Sequence, residues 1–233
     1  MGKTVLLLFE TTMLAAAEFE KCGFDTICID LDNKLGKWGD EHGIQTNSRI
    51  LDWDILENVD EIADLAMSCE MVIGFPPCTD LANSGAAHFA SKRAKNPNFQ
   101  IEAVELCRTV ETIGNLADVP WIIENPTSVL STLWRKPDFR FQPYEYGGYL
   151  PVDDVHPLYP KYIMPRDAYP KKTCYWTSEN LKMPEKLIVP IDKGYSTQYN
   201  KLGGKSAKTK RIRSATPRGI MRAIAQQLKK EMQ

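Results

Sequence analysis

The first residue in this chain whose setting suggests chemistry is a cysteine held behind two prolines. In Gly74-Phe75-Pro76-Pro77-Cys78-Thr79 the cysteine follows the apolar run Met71–Phe75, and each proline sets its own φ angle. A thiol on so stiff a turn beyond a buried strand is placed as a nucleophile, whereas an arbitrary cysteine is more often a small buried apolar residue. Trp121-Ile122-Ile123-Glu124-Asn125-Pro126 ends a second apolar run in a carboxylate. Such a glutamate commonly caps a helix or meets solvent. In the same pocket as the thiol, it holds or delivers a proton to a ring nitrogen. The pair suits a reaction on a pyrimidine. Thiolate addition at carbon 6 of cytosine makes an enamine whose carbon 5 attacks an electrophilic methyl group. A carboxylic acid bonded to ring nitrogen 3 stabilises that adduct, and a base must then take the carbon 5 proton. No residue in the sequence stands out as that base.

These groups need elements to hold them. Val5–Phe9 reads as a buried strand, Met13–Cys22 as a helix ending at Gly23, and Thr26–Leu31 as a strand ending near Asp30 and Asp32, a βαβ opening. Helical spacing over Val59–Met67, a strand over Met71–Phe75, a helix from Gln100 to Leu116 and a strand over Trp121–Ile123 continue the alternation. The expected fold class is therefore α/β, a Rossmann-like doubly wound, mostly parallel sheet with helices on both faces and ligands at the carboxyl ends of its strands. Phe9-Glu10, Pro77-Cys78-Thr79 and Glu124-Asn125 would then share one crevice. Beyond Phe141 the texture becomes rich in Pro and Tyr, with strands expected over Thr173–Trp176 and Leu187–Pro190. An amphipathic helix from Arg218 to Met232 carries Ile220, Ile224 and Leu228 on one side. One domain over residues 1–233 is expected, with 142–213 as a small insertion or recognition region within it.

At this point the residues resemble the cytosine carbon-5 DNA methyltransferase family. Pro76-Pro77-Cys78 is similar to its nucleophile loop and Glu124-Asn125-Pro126 to its Glu-Asn-Val element. The resemblance implies a class I methyltransferase fold with Cys78 as nucleophile, Glu124 as cytosine-binding acid and Asn125 supporting the loop. It also implies S-adenosyl-L-methionine as cofactor. Phe9, Glu10 and Thr11 occupy the place of the family's Phe-x-Gly-x-Gly-like turn, here without glycine. Asp30 matches the acid for ribose hydroxyls and Asp54 the acid near the adenine, with Pro76 and Ser214 also assigned to the cofactor. A turn or helix cap is the plainer role for either aspartate. Lys171-Lys172-Thr173 falls where the family has a strand with alternating basic residues, so Lys171 or Lys172 is expected beside the cysteine and base. Arg213-Ser214-Ala215-Thr216-Pro217-Arg218-Gly219 resembles the closing segment of compact phage-type members. Larger members insert a target-recognition domain where this chain has about thirty-five residues, between Lys172 and Lys208.

Composition narrows the partners. A hydrophobic fraction of 43% with 25% charged residues belongs to a globular protein, and the first apolar run is too short to cross a membrane. The six cysteines form no CxxC or Cys/His cluster, which implies neither zinc nor disulfides and a reduced, cytoplasmic setting, in a bacterial or phage-infected cell if the resemblance holds. Net charge is -1, yet Lys201–Lys210 holds four lysines and no acid, and Arg211, Arg213 and Arg218 follow. Lys208, Lys210, Arg211 and Arg213 are therefore candidates for DNA phosphates, with Pro77, Thr79 and Asn125 as further substrate contacts; a solvated loop is the alternative. His156 amid Asp153 and Asp154 more commonly decorates a loop than binds a metal. Gly203-Gly204-Lys205-Ser206 mimics a phosphate loop but has Tyr199 where the earlier glycine belongs. Three functions remain open. The first is methyl transfer to cytosine in DNA. The second is action on free deoxycytidine nucleotide, or with a modified donor. The third is a DNA-binding protein that has lost turnover.

Overall fold

A computed structural model describes residues 3–31, 44, 46–179, 181–191, 202 and 206–233. Its strands are β1 (Thr4–Leu8), β2 (Asp25–Ile29), β3 (Arg49–Leu51), β4 (Met71–Gly74), β5 (Trp121–Pro126), β6 (Phe139–Phe141) and β7 (Thr173–Thr177). Its helices are α1 (Leu14–Glu20), α2 (Val59–Ala66), α3 (Phe89–Lys95), α4 (Phe99–Leu116), α5 (Leu130–Leu133), α6 (Ala207–Ser214) and α7 (Arg218–Glu231). Short 3₁₀ turns cover Asn83–His88, Pro143–Tyr149 and Pro165–Asp167.

The strands form one sheet in the order β3-β2-β1-β4-β5-β7-β6. β3, β2, β1, β4 and β5 run parallel, and β7 lies antiparallel between β5 and β6. Val5 to Leu8 are fully buried, as a central parallel strand with helices on both faces requires. One face packs Val5, Leu7, Ile73 and Ile122 against α1 and α7; the other packs Leu6, Leu8, Val72 and Ile123 against α2 and α4. The α/β, Rossmann-like fold expected from the alternation is the fold observed. Among the described residues, no helix is long and apolar enough to cross a membrane. Strand order reverses between β1 and β4, so the crevice of such a sheet opens where these two end. At the end of β4, a Cβ on Gly74 would sit 2.4 Å from the Val110 side chain, so the glycine lets α4 pack tightly against the strand that leads to Cys78.

Two expectations need correction. Leu187–Pro190 is not a strand. It makes two backbone hydrogen bonds to the Pro143–Tyr149 turn, Val189 N to Tyr144 O and Gly148 N to Leu187 O, and buries Val189 without joining the sheet. β5 also runs past Ile123 through Glu124, Asn125 and Pro126, because β7 pairs with it from Ile122 to Pro126. Glu124 is therefore a strand residue whose side chain has a defined face. The segment after β6 packs onto α7: Arg218 pairs with Asp154 at 2.5 Å, and Gly219 N donates to Asp167 Oδ2 at 2.7 Å.

Candidate active site

Backbone hydrogen bonds stitch together the segments that follow β4 and β5. Leu81 N and Ala82 N both donate to Cys78 O, closing a tight turn behind the cysteine. Ala82 then bridges to Ser128, with Asn83 N donating to Thr127 O and Val129 N to Leu81 O. Thr127 N in turn reaches Lys172 O at 3.4 Å, tying in the entry to β7. Asn125 is fully buried and its Nδ2 donates to Pro76 O at 3.3 Å, so β5 braces the double-proline turn from below.

Electrostatics follow the same geometry. Cys78 is half-buried. Burial pushes its thiol above the ordinary value, the Glu124 charge pushes it further, and Lys171 pulls it back. Burial also raises the Glu124 carboxyl, with Lys171 opposing. Glu124 Oε1 is shut from solvent and has no hydrogen-bond partner among the described residues. A carboxyl biased toward its neutral form, with one oxygen unpaired, can donate to an incoming acceptor such as a ring nitrogen. Lys171 is half-buried and acts on both groups, while Lys172 is exposed and contributes its carbonyl, so the structure separates two residues that the sequence left as alternatives.

Two residues behind the thiol were not visible in the sequence. Lys92 on α3 donates to Thr79 O at 3.2 Å and pairs with Asp80. Gln100 on α4 donates to Asp80 O at 3.3 Å and accepts from Arg93 at 3.0 Å. They hold the exit of the nucleophile turn, but their separations of twelve to twenty positions carry no helical or strand periodicity that would have linked them to Cys78. Thr79 and Pro77 are exposed on the same turn, and Pro76 is buried within it.

The turn after β1 takes an unusual path. Phe9 and Met13 have φ of 59° and 56°, the left-handed region that favours glycine. Each such non-glycine residue costs on the order of 1–2 kcal/mol. Glu10 is buried between them, its Oε1 accepting from Thr12 N at 2.8 Å and Thr12 Oγ1 at 2.6 Å, while Thr11 is exposed. Burial raises the Glu10 carboxyl and the hydrogen bonds from Thr12 lower it. Glu10 Oε2 is buried without a partner among the described residues. Asp30 sits half-buried just past β2. S-adenosylmethionine, the donor implied by the resemblance, carries a cationic amino-acid end and ribose hydroxyls, and an unpaired carboxyl oxygen at Glu10 and a carboxylate at Asp30 fit those groups.

Other candidates have local roles. Asp54 Oδ1 accepts from Leu56 N at 2.9 Å, an Asx turn ahead of α2. Ser214 is exposed at the end of α6 and its hydroxyl donates to Arg211 O at 3.0 Å. On α6, Thr209 and Ile212 face inward, and Lys208, Lys210, Arg211 and Arg213 are exposed; Lys208 also lies 5.4 Å from the Tyr162 ring centroid. His156 is buried, accepts from Tyr159 N through Nδ1 at 3.0 Å, and is pushed down to about 3 by burial. No group of three metal-ligating side chains occurs among the described residues. Asp32, Tyr199 and Gly203-Gly204-Lys205 lie outside the described residues.

No protein-family model matches the chain, and no curated protein does. Solved structures similar to it include a prophage protein of Escherichia coli named as a DNA modification methyltransferase. It is 14% identical, with 81% of this chain and 52% of that one covered and a TM-score of 0.44. DNMT2 of Spodoptera frugiperda is 11% identical, covering 88% and 61%, with a TM-score of 0.39. The Entamoeba histolytica methyltransferase EhMeth is 14% identical, covering 90% and 62%, with a TM-score of 0.39. The chain spans about half the length of the first of these. The functional reading rests on the geometry of the site itself.

Proposed function

We propose that this protein transfers a methyl group from S-adenosylmethionine to carbon 5 of cytosine in DNA through a covalent adduct with Cys78. The observation that supports the reading is the joining of Cys78 and Glu124 on stitched strand ends, with Glu124 Oε1 buried and unpaired among the described residues. Glu10 and Asp30 would hold the donor, which supplies an electrophilic methyl group. The Cys78 thiol gives up its proton to solvent, the Lys171 charge favouring the thiolate, and the thiolate adds to carbon 6 of the ring. Glu124 donates its proton to ring nitrogen 3, so the adduct forms without a full negative charge on the ring. Asn125 and Lys92 keep the turn rigid, so that the thiol does not have to be ordered during the reaction. The exposed cations of α6 supply contact with DNA phosphates that does not depend on sequence. Reaching a base in duplex DNA requires flipping it from the stack.

The test is incubation with S-adenosylmethionine and DNA containing 5-fluorocytosine, whose carbon 5 cannot lose a proton and so traps the adduct. A protein–DNA band that survives denaturation is expected from wild type and absent from Cys78→Ser. Equal trapping by both would refute the assignment. A parallel incubation with deoxycytidine monophosphate and labelled donor separates DNA from free nucleotide.

A further inference from the structure

The sheet face that carries Glu124 holds a second orphaned polar atom. β5 and β7 pair antiparallel with Glu124 directly opposite Tyr175, so the two side chains leave the sheet on the same side. The Tyr175 hydroxyl, like Glu124 Oε1, is buried with no hydrogen-bond partner among the described residues. The ring is fully buried and fixed edge-on against Phe141, with centroids 4.8 Å apart. Burial and the nearby Glu124 charge push the phenol well above its ordinary value, so it keeps its proton and acts as a donor. A buried donor and a buried acceptor, both unpaired on neighbouring positions, carry a desolvation penalty that a hydrogen bond between them removes. β7 itself, Thr173-Cys174-Tyr175-Trp176-Thr177, bears no basic side chain; Lys171 and Lys172 precede it.

We propose that Tyr175 is a positioning residue for Glu124: its hydroxyl donates to Glu124 Oε1 when a cytosine ring enters, turning the carboxyl so that the proton on the other oxygen faces ring nitrogen 3. The inference rests on the cytosine chemistry above. As the Cys78 thiolate forms the bond to carbon 6, the carbon 5–carbon 6 electron pair shifts to carbon 4–carbon 5. The carbon 4–nitrogen 3 pair moves onto nitrogen 3, which takes the Glu124 proton. The carboxylate left behind keeps the hydrogen bond from Tyr175.

Thiolate addition exposes the carbon 5 hydrogen to exchange, so the step is read without a donor as tritium released from DNA carrying [5-³H]deoxycytidine, measured across pH. Tyr175→Phe keeps the ring and its packing and removes a buried, unpaired hydroxyl, so the melting temperature is expected to be at least that of wild type and DNA affinity to match it. Release is expected to slow roughly ten-fold, and the break of the pH profile at which Glu124 loses the proton it must donate to move up by about one unit, the size of one missing hydrogen bond to a charged acceptor. Release at the wild-type rate with an unmoved break overturns the role of Tyr175 and leaves the cytosine chemistry standing. Wild-type release no faster than that of Cys78→Ser overturns both.

Discussion

Asp167→Asn tests how the segment before β7 is held against α7. Asp167 is buried, its Oδ2 accepts from Gly219 N at 2.7 Å, and its Oδ1 has no partner among the described residues. Burial is the largest influence on the carboxyl, outweighing the Arg218 charge, and raises it from 3.8 to about 6. A folded value above the unfolded one means that ionisation opposes folding. The penalty is absent below about pH 4, grows as pH rises between the two values, and is complete above about pH 6. A difference of about two units corresponds to roughly 3 kcal/mol, an upper figure because Arg218 and Asp154 are coupled to the same group. Asparagine keeps an acceptor for Gly219 N, carries no charge, and suits the left-handed φ of 49° that Asp167 adopts. The variant is therefore expected to be more stable than wild type at pH 8, by about 1–3 kcal/mol, with the gap closing toward pH 4. Urea unfolding followed by tryptophan fluorescence at several pH values measures it. An Asp167→Asn protein less stable than wild type at pH 8, or a gap that does not shrink in acid, would refute burial as the cause of the shift.

Gly74→Ala should cost about 1–3 kcal/mol through its clash with Val110, and Val110→Ala in the same chain should recover part of that stability in a double-mutant cycle. Glu18 is buried and pairs with Arg222 and Arg218 across α1 and α7 as well as with Lys21, so Arg222→Ala leaves it partly compensated and should destabilise by about 1–3 kcal/mol, against which thermal unfolding of Glu18→Gln/Arg222→Ala should show partial recovery. Replacing Lys208, Lys210 and Arg213 on α6 together should weaken DNA binding for every sequence tried and flatten its salt dependence by about one unit of slope for each phosphate no longer neutralised; an unchanged slope would remove α6 from the DNA interface.

The strand ends that carry the candidate site were legible in the chain alone. The apolar runs before Cys78 and at Glu124 mark central strands because parallel strands buried on both faces must be almost wholly apolar, and their ends must therefore carry the polar groups. The amphipathic stripe of α7 was legible for a similar reason: its period repeats within one element. Nothing local marked where β5 ends. Its last three residues belong to the sheet only because β7, about fifty positions later, pairs with them, and that pairing sets the face on which Glu124 meets Tyr175. Lys92 and Gln100 reach the Cys78 turn, Tyr175 faces Glu124 and Lys171 rather than Lys172 lies by the thiol only through partners distant in sequence. Residue types and strand ends define which chemistry is available, since they follow from burial and local backbone preference. The orientation and protonation of those groups depend on which strands become neighbours, because burial and nearby charge, unlike residue type, exist only once the chain has folded.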